Sequence, residues 1–182
     1  MSQTTAADIL EFWFSERVKP LHWKKDAEFD AEVRERFLPT YEAVCGGERD
    51  AWVATPEGAL ALIIVLDQFA RNMFRGDARS FAADGLARWY TNRALQLGLD
   101  QFLEPPRRMF MIMPLMHSER LEDQQRCIEL LASTDLASNL RFAYLHKDII
   151  ARFGRFPHRN AVLGRVSTPD ERVFLQNPHA GF

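Results

Sequence analysis

Cysteine is scarce: the chain of 182 residues has two, Cys45 and Cys127. Two thiols cannot build a disulfide framework and match no metal-ligand spacing, so a reduced, cytoplasmic protein is expected. Long apolar runs are missing as well. The longest, Ala59–Leu66 and Met109–Met116, hold eight residues each, against the roughly 20 that a bilayer-spanning helix needs. The opening MSQTTAADIL lacks a basic stretch followed by an apolar one, so no secretory signal is expected there. Net charge is only −2, which removes the broad basic face that duplex nucleic acid requires. Glycine-rich phosphate loops, serine-nucleophile elbows and paired-His metalloprotease motifs are absent too.

What is present is core-forming material. Hydrophobic residues make up 47% and charged residues 26%, a balance that excludes disorder. Fourteen Phe and four Trp imply a core built on large rings. Helix signals run from end to end, and strand alternation is lacking. Thr5 caps a segment carrying Ile9, Leu10, Phe12 and Trp13. Asp26 opens a second helix through Phe29, Val33, Phe37, Tyr41 and Val44, kinked at Pro39 and ended by Gly46 and Gly47. Thr55, Pro56 and Glu57 start a third, apolar nearly all round to Leu66, which turns polar at Asp67 and stops near Gly76.

Further helices are predicted from about Ser80 to Leu97, from Pro105 with a bend at Pro114, and from Leu121 to Leu131. Another is marked by Leu136, Leu140, Ala143, Ile150 and Phe153 and closed by Gly154 and Pro157. Thr168, Pro169 and Glu171 form a last capping box, and the tail from Asn177 to Phe182 reads as loop. That gives seven to nine helices in one all-α domain spanning 1–182, with a core from about 6 to 178. Trp89, Tyr90, Ala94, Leu95 and Gly98 have the flavour of a tetratricopeptide helix, but no second copy is clear.

Three polar constellations interrupt this apolar pattern. In the first, helical spacing puts Asp67, Arg71 and Arg75 on one face, with Gln68 and Asn72 beside them. They form either an intrahelical ion pair at a solvated helix end or the wall of a cleft; buried charges persist only when paired. The second is His117, Ser118 and Glu119, directly after an apolar run. Here His117 is a titratable acid, base or ligand, or else a hydrogen-bonded structural residue. No second His stands at i+4, so zinc is not indicated.

The third and richest lies between Arg141 and Arg165, where Lys147, Arg152, Arg155 and Arg159 accompany His146 and His158 with Asp148 the only acid. The crowding of Arg152, Arg155 and Arg159 about Gly154 and Pro157 calls for something anionic among them. That is either a ligand gripped by planar guanidinium forks or acids such as Asp67, Glu119 or Asp148. Glu171 is already engaged by its capping box.

Taken together, Leu66 to Gly76, Pro114 to Glu119, Phe153 to Asn160 with Leu163, Gly164 and Arg165, and Thr168 to Leu175 resemble the signature of an uncharacterised bacterial protein family. The opening Ile9 to Phe14 belongs to the same pattern, and the resemblance covers about residues 6 to 178. It implies a right-handed α-α superhelix of antiparallel helix pairs, similar to tetratricopeptide-repeat folds, and implies no activity.

Two functions fit the residues. One is a binding module whose groove holds an anionic small molecule or acidic peptide through Arg71, Asn72, Arg75, His117, Arg152, Arg155, His158 and Arg159. The other is a small-molecule enzyme with His117 or His158 as proton carrier and Asp67 or Glu119 as orienter. Neither calls for a cofactor or a metal. A third reading makes the same motifs a buried network that fixes helix register.

Overall fold

Each start signal in the sequence opens a helix in the computed structural model, which describes residues 4–177. Helix α1 (Ala6–Trp13) begins on a capping box in which the Thr5 hydroxyl accepts from the Asp8 amide and the Asp8 carboxylate accepts from the Thr5 amide. Helix α2 (Ala27–Cys45) starts where the Asp26 carboxylate accepts the Glu28 and Phe29 amides. It continues through Pro39 and stops at Gly46, with Gly47 at φ 80°. Helix α3 is longer than its apolar pattern suggests: an α-helical start (Pro56–Ile63), a π-helical middle (Ile64–Phe69) and an α-helical end (Ala70–Met73).

The predicted stretch from Ser80 to Leu97 is broken at Ala83 into a single turn, α4 (Arg79–Ala82), and α5 (Asp84–Gln96). Gly98 then adopts the left-handed conformation that only glycine takes without strain. Helix α6 (Pro105–Met116) carries Pro114 inside it. Helices α7 (Leu121–Ala132), α8 (Leu140–Phe153) and α9 (Pro169–Phe174) follow, the last on the predicted Thr168–Glu171 box. Among the described residues the protein is all-helical, and no helix is long and apolar enough to cross a membrane. Of the expected C-terminal loop, residues 178–182 lie outside the described residues.

The chain forms two compact units, Met1–Arg75 with Arg79–Pro114, and Gly76–Ala78 with Leu115–Phe182. In the first, α3 is the axis on which α1, α2, α5 and the turn at Asp50–Ala54 pack. Every residue from Gly58 to Ala70 is buried, which agrees with a helix apolar on all sides. The approach at its start is close enough to demand glycine: a Cβ on Gly58 would lie 2.1 Å from the Trp52 carbonyl oxygen. Rings fill the rest, with Phe37 4.9 Å from Phe12 and 4.6 Å from Phe69 between centroids.

In the second unit α7 packs on α8. The buried face of α7 is Asp123, Gln124, Cys127, Ile128 and Leu131, whereas Leu121 is exposed. Beyond α8, Ile149, Ile150 and Phe156 form a small core to which Phe153 and Phe174 add. Both cysteines are free, and burial pushes the Cys127 thiol up to about 12.

Candidate functional site

In the first unit the polar end of α3 is a charge-matched network. The π-helical segment carries Asp67, only 1% exposed, and Gln68. A π-turn displaces carbonyls from their ordinary partners, and here Arg71 Nη1 donates to the Asp67 carbonyl at 2.7 Å. The same nitrogen lies 3.0 Å from the Asp67 carboxylate and 3.0 Å from that of Asp84 on α5. Gln68 Nε2 donates to the other Asp67 oxygen at 2.6 Å. Arg75 does not join them. It grips Asp30 of α2 through Nε and Nη2, and Asn72 donates to the same carboxylate at 2.7 Å. Asp30 and Asp84 lie 42 and 13 residues from the groups they hold, so helical periodicity gives no hint of either.

The second unit holds the remaining candidates. The turn at Met116–Ser118 has its carbonyls taken one by one. Gln124 Nε2 donates to Met116 O at 2.6 Å and Ser118 O at 2.8 Å, while Arg159 Nη2 donates to His117 O at 3.0 Å. Glu119 accepts the Phe156 amide at 2.8 Å and the fork of Arg165 at 2.7 and 3.0 Å. These bonds keep its carboxylate below its ordinary range against the opposing effect of burial. Arg155 forms the matching fork on Glu171, Nε at 2.6 Å and Nη2 at 2.8 Å, and also holds Val166 O. With the Thr168 amide and Asn160 on the same carboxylate, Glu171 falls to about 2, chiefly because of the Arg155 bond.

Between these two ion pairs Phe156 is fully buried, and three imidazoles and a guanidinium gather about it. His146 meets it edge-on at 5.7 Å and His158 lies tilted at 5.6 Å. The Arg159 guanidinium stands over the ring at 4.6 Å, and His117 is 6.2 Å from His146. Arg159 and His146 are buried; His117 and His158 are partly open to solvent. Because a carbonyl can only accept, His146 Nδ1 carries the proton it gives to Phe142 O at 2.8 Å. Burial, and then the neighbouring His117, lower this imidazole to about 3, so it is neutral at physiological pH.

The structure therefore brings His117, His158, Arg159, Glu119 and Arg155 into one unit, and adds Arg165 and His146. His146 had a signal: it shares the buried face of α8 with Ala143 and Ile150, three and four residues away. Arg152 sits elsewhere, exposed with its guanidinium over Phe153. Among the described residues no three His, Cys, Asp or Glu are grouped to hold a metal ion.

The sequence from 9 to 179 matches the family model described as bacterial protein of unknown function (DUF924), and the chain belongs to that family. It is similar to a solved structure from Agrobacterium tumefaciens, described as protein of unknown function ATU0120. The two share 41% identity with a TM-score of 0.88 over 94% of this chain and 96% of the other. No curated protein matches.

Proposed function

We propose that this protein binds a small anion in its second unit, with His117, His158 and Arg159 as the recognising groups and His146 as a neutral wall. The observation that carries this reading is the gathering of three imidazoles and one guanidinium around Phe156. Cationic and neutral nitrogen donors held this close repel one another when charged, and an anion among them relieves that repulsion. The turn bearing His117 is fixed through three successive carbonyls, so its ring is presented with little freedom to lose on binding.

The other arginines read differently. Arg71, Arg75 and Arg155 each hold a carboxylate of their own chain, which assigns them to the framework. That division narrows the anion site to one side of the second unit.

The test is thermal unfolding against phosphate, sulfate, succinate and citrate at constant ionic strength. A ligand at a hundred times its Kd stabilises by about 2.7 kcal/mol, roughly 5–11 °C in Tm for a domain of this size. His158→Ala is expected to abolish the response while leaving the unliganded Tm within a few degrees. A panel in which no anion moves Tm overturns the proposal.

A further inference from the structure

We infer that the anion is a tetrahedral oxyanion of the phosphate type, not a carboxylate; this rests on the anion-binding reading just given. The second unit shows how it recognises carboxylates. Arg155 places Nε and Nη2 on the two oxygens of Glu171, and Arg165 places Nη1 and Nη2 on those of Glu119. These are parallel two-point forks, the geometry that matches a planar group. Both are filled by acids of the chain itself.

Arg159 is set up otherwise. Both two-point edges of a guanidinium include Nη2, and in Arg159 that nitrogen already donates to His117 O. Its plane is fixed against Phe156. The groups around this ring therefore supply one-point donors from separate segments: His117 from the turn after α6, and His158 and Arg159 from the turn after α8. Single donors converging from different directions suit oxygens arranged at the corners of a tetrahedron, whereas a flat carboxylate offers its two acceptors side by side in one plane. Imidazoles reinforce the preference, because each directs one N–H along its own ring plane.

Free phosphate and the phosphoryl group of a monoester share this chemistry, and titration separates them. Isothermal calorimetry of the full chain with inorganic phosphate, glycerol phosphate, acetate and succinate is expected to give binding at least tenfold tighter for one or both phosphates than for either carboxylate. Inorganic phosphate alone marks a site closed around the free ion, and glycerol phosphate alone marks a monoester site. His117→Gln and His158→Gln, checked for native circular dichroism, are each expected to weaken phosphate at least tenfold. Lys24→Ala, on the first unit, leaves it unchanged. Carboxylates that bind as well as phosphates overturn this inference and leave the anion reading standing; titrations silent for all four ligands remove both. Phosphate binding untouched by either His variant places the ion elsewhere and also overturns it.

Discussion

Arg159 and Gln124 hold the turn that presents His117 from opposite ends of the second unit's sequence, Arg159 on the carbonyl of His117 and Gln124 on those of Met116 and Ser118. Gln124 is fully buried, so removing its amide strands acceptors that water cannot reach. Gln124→Leu should cost roughly 1–3 kcal/mol for each stranded carbonyl. Chemical denaturation measures this as a lowered midpoint with an unchanged slope. Loss of anion-induced stabilisation is expected to accompany it, since the His117 turn loosens.

Arg71 is the counter-ion of a carboxylate that is 1% exposed. Arg71→Ala leaves Asp67 buried without its strongest partner, a class of change that costs roughly 3–5 kcal/mol. The double variant Arg71→Met with Asp67→Leu removes both charges and should recover much of that loss. Equal destabilisation of the single and double variants would show that the pair contributes little.

His146 predicts an acid-sensitive fold. Its native pKa is lowered from 6.5 to about 3, so in this interval the unfolded chain binds a proton that the folded chain excludes. Stability is full above pH 6.5 and falls as pH drops, by up to about 1.4 kcal/mol per unit, until the native group itself protonates near 3. Glu171 acts in a lower window, since its carboxylate is depressed from 4.5 to about 2 and its contribution fades only below 4.5. His146→Phe should flatten the profile between pH 4.5 and 6.5 and spare the steeper fall beneath. Unfolding midpoints measured at half-unit intervals separate the two.

Gly58 admits no side chain. A Cβ there meets the Trp52 carbonyl oxygen at 2.1 Å and the Thr55 hydroxyl oxygen at 2.8 Å, and the first is backbone in a packed turn. Gly58→Ala should therefore destabilise by roughly 1–3 kcal/mol or more despite raising helix propensity. Calorimetric unfolding tests this; a raised Tm would mean that the Asp50–Ala54 turn moves aside freely.

Helix starts were written in the sequence because their determinants are local. Thr5, Asp26, Thr55 and Thr168 each satisfy amides two or three residues away, and each cap lies where the residue order places it. The all-helical class follows from the same signals. Pairings across the fold were not legible. The Asp67–Arg71 pair lies within helical reach, but Asp30 and Asp84 are carried in by packing of α2 and α5 on α3, which no spacing rule encodes. In the second unit the crowding of arginines correctly demanded acids, and Glu119 is one of them. Glu171, read as occupied by its cap, serves cap and Arg155 together because a carboxylate has lone pairs for both. The break at Ala83 and the wide turn in α3 escaped because residue preferences there do not differ from those of an ordinary helix.

That wide turn makes α3 two helices in phase terms. Residues before Ile64 and after Phe69 follow the same axis, yet the extra backbone between them offsets the second stretch by about 100° from where an unbroken helix would put it. The offset sets the compass bearing of Arg71, Asn72 and Arg75, and so selects Asp84 and Asp30 as their partners. Shortening Ile64–Phe69 by one residue would restore the regular winding while turning those three side chains away from both acids. The segment thus behaves as a spacer whose length, not its composition, encodes which helices of the first unit are tied together.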